Sequence, residues 1–344
     1  MPIQAELRRV LEERATLSRD EAAALMSRIL AGDASDLELA ALLGAMAARG
    51  ETAAEIAGFA QTLRAAATPL PLSEIERASL VDTCGTGGDG SGTFNISTAA
   101  ALVAAAAGAT VAKHGNRAIT SRCGSADVLD ALGIPTDLSP EAAADALRTH
   151  RFCFLLAPAH HPALRGVMPV RRALGVRTVL HVLGPLLNPA GARRQVMGVY
   201  AAHLVRPIAQ AMTLLGTTHA MVVHGESSSA AGQVGLDELA LSGPSNIAEV
   251  RSGAVHPSTL SPADLGLTQA PLSALAGGDA HGNAAILRAI FAGETGARRD
   301  MVLLNAAAVL VVADLAPNLR DGLVAAASAI DSGAVNRLIR ELQQ

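Results

Sequence analysis

Residues 85–98 read Gly-Thr-Gly-Gly-Asp-Gly-Ser-Gly-Thr-Phe-Asn-Ile-Ser-Thr. Before them, the apolar Leu80-Val81-Asp82-Thr83 with its β-branched Val81 predicts a short strand. After them, the Ala-rich run from Ala99 to Ala107 predicts a helix. Five glycines in eight residues let the backbone turn sharply and approach a ligand closely. A strand, a glycine loop and a helix N-terminus present unpaired N–H groups and a favourable dipole to an anion. The loop carries no Walker lysine and lacks the spacing of the dinucleotide fingerprint. The competing reading is a tight turn between packed elements. A second polar cluster follows the next Val-containing strand candidate: Lys113-His114-Gly115-Asn116-Arg117, then Ser121-Arg122-Cys123-Gly124-Ser125. Cations on a loop usually mark a solvated surface. Here they trail the first loop closely enough to form a second wall of one anion site.

The remaining chain points to an α/β fold. Short strand candidates at 79–83, 109–113, 152–157, 194–200 and 219–224 alternate with Ala-rich helices, which predicts a mostly parallel sheet flanked by helices. The first seventy residues are helical. One helix is expected over roughly 3–14, and three capping boxes open others: Ser18 with Glu21, Ser35 with Glu38, Thr52 with Glu55. Gly32 and Gly50 suit the stops, and Thr68-Pro69-Leu70-Pro71 reads as a linker. Ser139-Pro140 starts a helix over 140–149, and 163–175 reads as an amphipathic helix. Residues 226–235 have linker composition, which predicts mobility that ligand binding would reduce.

Half of the 344 residues are apolar, enough for one large domain and a smaller one, and the net charge of −4 argues against a nucleic-acid binder. Cys84, Cys123 and Cys153 cannot all pair, which suits a reducing cytoplasm. The N-terminus is polar and amphipathic, unlike a signal peptide, and the most apolar runs, 99–112 and 301–316, are short for a membrane span. With no Trp and one Tyr, the core must be built from Ala, Leu, Val and Ile.

Gly85-Thr86-Gly87-Gly88-Asp89, Asn95-Ile96-Ser97-Thr98, Lys113-His114-Gly115-Asn116-Arg117 and Gly124-Ser125-Ala126-Asp127 together resemble the motifs of the anthranilate phosphoribosyltransferases. In order there follow His161-Pro162-Ala163, Pro169-Val170-Arg171-Arg172, Leu183-Gly184-Pro185-Leu186 with Asn188-Pro189, Leu236-Asp237-Glu238-Leu239, and Gly277-Gly278-Asp279-Ala280 with Asn283-Ala284-Ala285. The matches cover nearly the whole chain. They imply a small all-helical domain of residues 1–70, with 160–182 packing onto it. They also imply a large α/β domain of 73–159 and 183–344 that binds phosphoribosyl pyrophosphate.

The implied reaction joins anthranilate to phosphoribosyl pyrophosphate. For the phosphoribosyl pyrophosphate, the resemblance and the loop chemistry together nominate Gly85, Gly87, Gly88, Asp89, Thr93, Asn95, Ser97, Thr98, Lys113 and Ser125. For anthranilate they nominate Gly85, His114, Asn116, His161 and Arg171, with the Arg171 guanidinium holding the carboxylate. Asp237 and Glu238, with Ser97, are the implied Mg2+ ligands, for two ions per site. Read without the resemblance, an Asp-Glu pair is a solvated turn, Arg171 a surface cation, Ser97 a helix cap, and His114 and His161 packing residues. No general base is assigned, because an aromatic amine is neutral at pH 7 and can attack before it loses a proton. A homodimer is implied as well, with neither nucleic acid nor membrane as partner. Two departures stand out: His181 replaces the family's usual Asn before Leu-Gly-Pro, and Ser227 to Gly235 intervene before Asp237. The alternatives are a pyrimidine nucleoside phosphorylase of the same architecture and a non-catalytic nucleic-acid-binding relative, which should show a basic face and lost metal carboxylates.

Overall fold

The computed structural model describes residues 3–118, 122–229 and 232–344. Ser121 of the second polar cluster and residues 230–231 lie outside the described residues. The sheet comprises β1 (Leu80–Gly85), β2 (Thr110–Gly115), β3 (Phe152–Leu156), β4 (Arg194–Gly198), β5 (His219–Ser229), β6 (Gly232–Leu236), β7 (Ser245–Arg251) and β8 (Ala254–Leu260). Its order is β3-β2-β1-β4-β5-β7-β8, with β6 pairing β5 off this path. The first five strands run parallel, and β6, β7 and β8 add antiparallel pairings. The five expected strands are present within two or three residues of their limits at most, except that β5 runs on to Ser229. The three antiparallel strands were not expected. The exposed β8 reads Ala-Val-His-Pro-Ser-Thr-Leu, without a clean apolar alternation. The 226–235 expectation is corrected: Glu226 faces Gly235 and Ser229 faces Gly232 in a paired hairpin. Backbone pairing, indifferent to side-chain polarity, overrides the linker composition there.

The three capping boxes form as expected, opening the helices Arg19–Leu30, Asp36–Arg49 and Ala53–Ala65. A fourth, Ser73 with Glu76, opens the short helix Glu74–Ser79. The first helix spans only Gln4–Leu11, since the chain soon turns at Arg14, whose φ is +52°. The helix expected over 163–175 divides into a 3-10 turn, Pro162–Gly166, and a helix, Met168–Leu174. Pro169 lacks an N–H and suits only the first turn of the second piece.

Helices cover both faces of the sheet. On one, Ile96–Ala106, Ala297–Val312, Leu319–Asp331 and Ala334–Leu342 build a core dominated by Ala, Leu and Val. On the other, a single apolar cluster runs from Leu25, Leu42 and Phe59 of the N-terminal helices through Val170 and Leu183 to Ile208, Val222 and Val250. Helix Val205–Leu214 lies between, touching both Ala53–Ala65 and the sheet. Among the described residues, no helix is long and apolar enough to cross a membrane.

Candidate active site

The sheet order reverses between β1 and β4, so the chain leaves these strands in different directions and opens a crevice beyond their carboxyl ends. Gly85 ends β1 and Gly198 ends β4, side by side in parallel register. Asp237, just after β6, crosses directly over both. A Cβ on Gly85 would lie 2.1 Å from Asp237 Oδ2, and one on Gly198 would lie 1.5 Å from the Asp237 carbonyl oxygen. Only glycine admits the carboxylate here, which ties the glycine loop to the Asp-Glu pair across about 150 residues of chain.

The loop is braced on both sides. The Thr86 N–H donates to the Gly198 carbonyl at 3.0 Å, and the Tyr200 N–H to Thr86 Oγ1 at 3.1 Å. Opposite, the Gly277 N–H donates to the Gly92 carbonyl at 2.9 Å, and the Phe94 N–H to the Leu275 carbonyl at 3.1 Å. Asn283 donates to Asn95 Oδ1 at 2.8 Å, and Asn95 donates to the Cys123 carbonyl at 3.3 Å. Gly277, Gly278 and Asn283 therefore support the loop from behind. Ser91 and Thr93 hydroxyls share a contact of 3.3 Å.

The helix after the loop begins at Ile96, not Ala99, with Asn95 at the N-cap position and no side-chain cap. Ser97 is thus not the cap that the plainer reading gave it. Its backbone N–H donates to Glu238 Oε1 at 3.0 Å, and its hydroxyl accepts from Lys113 Nζ at 3.3 Å. Thr98 is buried with its hydroxyl unpartnered. Lys113 is 1% exposed, with its ammonium on the Thr83 carbonyl at 2.5 Å. Asp82, fully buried, accepts the His114 N–H at 3.1 Å, and its proton affinity is raised by burial despite Lys113 nearby.

Three carboxylates meet over the loop. Asp237 Oδ2 accepts the Gly87 N–H at 2.6 Å, and the Asp237 N–H donates to Asp89 Oδ2 at 3.3 Å. Burial, and then the neighbouring carboxylate, holds the Asp237 and Glu238 protons above the usual range. In physical terms, these acids resist ionising until a cation arrives to neutralise them. Oxygen donors crowded in this way fit Mg2+. Among the described residues, no three His, Cys, Asp or Glu converge tightly enough to hold a metal alone, and Mg2+ ordinarily completes its shell with water and substrate phosphate.

The remaining acceptor candidates lie at the end of β2 and on segments that follow β2 and β3. The His114 and His161 rings stand edge-to-face with centroids 5.1 Å apart, both buried, each with Nε2 unpartnered. Burial, then repulsion from neighbouring histidines, pushes His114 down to about 3 and His161 to about 4, so both rings are neutral. Arg171 is half-buried beside exposed Arg172, and among the described residues no carboxylate pairs with it. Burial, then the Arg171 charge, lowers His181, which places the two side by side. His181 Nδ1 accepts the Thr178 N–H at 3.1 Å, so this departure from the family pattern braces a turn behind Arg171. Asn116 and Ser125 are joined by the Ser125 hydroxyl, which donates to the Asn116 carbonyl at 3.2 Å. Arg117 is spent on Asp130 at 2.6 Å and Asp127 at 3.3 Å, while Asp127 accepts the Gly124 N–H at 2.8 Å. The sequence reading missed Asp82, Tyr200 and Arg177. Only Tyr200, the single tyrosine, carried a signal that could have drawn notice.

A glycine loop and helix start at a switch point, crossed by an acid pair, form a site suited to a phosphate-bearing substrate that arrives with a divalent cation, and the family comparisons give its class as a glycosyl transferase. Two family models match the chain: the glycosyl transferase family helical bundle domain over residues 5–67 and its α/β domain over residues 77–336. The chain belongs to the anthranilate phosphoribosyltransferase family. It is 52% identical over 330 residues to the anthranilate phosphoribosyltransferase of Chloroflexus aggregans, covering 95% of this chain and 94% of that one. To the Anaeromyxobacter dehalogenans enzyme it is 48% identical, covering 99% and 97%. The crystal structure of the Thermus thermophilus enzyme superposes with a TM-score of 0.88 at 44% identity, covering 96% and 95%. The Saccharomyces cerevisiae enzyme, in complex with phosphoribosyl pyrophosphate and Mg, gives 0.79 at 27% identity, covering 94% and 91%.

Proposed function

We propose that the protein transfers the phosphoribosyl group of phosphoribosyl pyrophosphate to the amine of anthranilate, releasing pyrophosphate, as a step of tryptophan synthesis. The observation that carries this reading is the acid pair laid over the glycine loop and the helix start, Asp237 on the Gly87 N–H and Glu238 on the Ser97 N–H. It is supported by Arg171, which among the described residues has no carboxylate partner, and by the neutral His114 and His161.

In the donor half, N–H groups of residues 87–90, the Ser97 and Thr98 hydroxyls and Lys113 hold the diphosphate. Thr93, Asn95 and Ser125 contact the ribose or phosphate. In the acceptor half, Arg171 takes the anthranilate carboxylate bidentately, and Asn116 orients the amine between His114 and His161. The amine lone pair attacks the anomeric carbon, and the bond from that carbon to the pyrophosphate oxygen breaks. Charge then develops on the diphosphate, where fixed N–H dipoles and Lys113 stabilise it. The amine proton leaves to water, and neutral His114 and His161 add no charge against the carbocationic sugar. Asp237, Glu238 and Ser97 would hold Mg2+, two ions in all, whose chemistry is to neutralise the leaving diphosphate.

Residues 1–70 with 160–182 would act as the small helical unit, and 73–159 with 183–344 as the large one. The split of the two family matches and the packing of Met168–Leu174 on Asp36–Arg49 support this. A homodimer through the helical unit is supported by exposed Leu11 and Leu37 there, and a cytoplasmic location by an odd cysteine count that cannot all pair.

The deciding assay offers phosphoribosyl pyrophosphate, Mg2+ and anthranilate, with uridine plus phosphate as the comparison. Consumption of anthranilate with pyrophosphate release supports the reading. Phosphorolysis alone replaces it with a nucleoside phosphorylase. Arg171→Ala should raise the anthranilate KM far more than that for phosphoribosyl pyrophosphate, by about 1.5–3 kcal/mol of lost charge-assisted binding. Equal effects on both substrates would remove Arg171 from the acceptor site.

A further inference from the structure

We propose that Arg177 is a positioning residue: it fastens the diphosphate-facing glycine loop to the acceptor side of the crevice and sets the direction of the loop's free N–H groups. The proposal rests on the phosphoribosyl-transfer reading.

Arg177 follows the helix Met168–Leu174, which carries Arg171. Its guanidinium carbon lies 3.9 Å from the centroid of the Tyr200 ring, and its Nη2 donates to the Gly88 carbonyl. Tyr200 follows β4 and Gly88 follows β1, so one side chain spans both strand exits at the switch point. A planar guanidinium lies flat on a ring face and donates in its own plane; an ammonium has no plane to stack and fixes the donor direction less well.

The consequence follows from peptide geometry. The Gly88 carbonyl and the Asp89 N–H belong to one planar trans peptide and point in opposite directions. Holding the carbonyl toward Arg177 turns the Asp89 N–H away from it. Gly87, Gly88 and Gly90 all have φ between +67° and +73°, so this backbone has little preference of its own to fix that plane. The Gly87 N–H is taken by Asp237 and the Ser91 N–H by Asp89. Among the described residues the Gly88, Asp89 and Gly90 N–H groups have no partner, which leaves them as the donors an incoming diphosphate would meet. Tyr200 is itself pinned, its N–H on Thr86 Oγ1. The loop is thus gripped at Thr86, Gly87 and Gly88 by three different segments, and only the last grip comes from the acceptor side.

Arg177 is solvent-exposed, so removing it leaves the apolar core alone. The experiment titrates magnesium pyrophosphate calorimetrically into wild type, Arg177→Gln, Arg177→Lys and Tyr200→Leu, with melting temperatures and both KM values measured. Arg177→Gln should weaken pyrophosphate about three- to tenfold, the range for an exposed charged contact plus a stacked cation. Its melting temperature should stay within about 2 °C of wild type. Arg177→Lys should fall between, and Tyr200→Leu should weaken binding in the same direction. The phosphoribosyl pyrophosphate KM should rise more than the anthranilate KM, and amides 86–92 should exchange faster. If wild type binds and Arg177→Gln matches it, or if the variant loses more stability than that, the positioning role is overturned alone. A wild type that binds no pyrophosphate overturns the transfer reading as well.

Discussion

Asp237 and Glu238 sit on the very donors a phosphate would use. Asp237 holds the Gly87 N–H, Glu238 holds the Ser97 N–H at the helix start, and both carboxyls are crowded enough to resist ionising. A diphosphate arriving without a cation must displace both acids from these donors and meets repulsion from whichever of them is ionised, whereas one arriving with Mg2+ exchanges partners: carboxylates to metal, N–H groups to phosphate. At a pH above the raised range of the pair, where both acids are ionised and the comparison is to be made, each repels an incoming anion by on the order of 1–2 kcal/mol in a medium of effective dielectric about 20. The double change Asp237→Ala, Glu238→Ala should therefore bind metal-free pyrophosphate about tenfold or more tightly than wild type in the presence of a chelator. It should lose the gain from Mg2+, and activity should collapse with the melting temperature kept. Calorimetry with and without Mg2+ checks this; weaker metal-free binding in the variant would mean that the acids do not guard these donors.

At the scale of elements, the hairpin of β5 and β6 delivers that acid pair, and its pairing makes a prediction opposite to its composition. Alternate amides in 226–229 and 232–236 should exchange slowly without any ligand, because every second N–H is bonded across the ladder. Fast exchange that ligand suppresses would restore the mobile-loop picture. A second prediction concerns β2 and the turn after β3, which bring His114 and His161 together. Their folded values of about 3 and 4 lie below the free imidazole value of about 6.5. From about pH 6.5 downward the unfolded chain binds protons that the folded chain refuses, so stability falls as pH falls. The raised Asp237–Glu238 pair acts with the opposite sign, so the test is a difference. Between pH 7 and 5, wild type should lose on the order of 1–2 kcal/mol more than His161→Gln. Parallel profiles would mean that His161 is protonated without penalty. The loop, the parallel strands and the capped helices were legible because each rests on local chemistry: glycine spacing, β-branched runs, hydroxyl–carboxylate pairs. The antiparallel strands were not, since the Ser-rich end of β5 and the Pro-containing β8 are set by long-range pairing. Arg177 was invisible for the same reason: its partners Gly88 and Tyr200 are near it only in the fold.

For the whole molecule, the apolar cluster crossing from the N-terminal helices to the second sheet face decides how the parts unfold. Phe59, 1% exposed in helix Ala53–Ala65, belongs to the same cluster as Ile208, Met212, Val222 and Val250. The helix Val205–Leu214 touches Ala53–Ala65 on one side and β5 and β7 on the other. A packing defect on the helical side should thus reach the sheet. Phe59→Ala removes a buried ring and leaves a cavity, a change that typically costs about 3–5 kcal/mol. The sequence supplies its own reporter: with no Trp and a single Tyr, intrinsic emission comes from Tyr200, just beyond β4. Far-UV circular dichroism is weighted instead toward the helices. Because the cluster is continuous, both signals should move to a lower melting temperature together in Phe59→Ala, as one cooperative transition. If the helical signal melts early while Tyr200 keeps its wild-type transition, the shared cluster does not couple the halves. The helical unit would then be free to move on the sheet at little cost to the core.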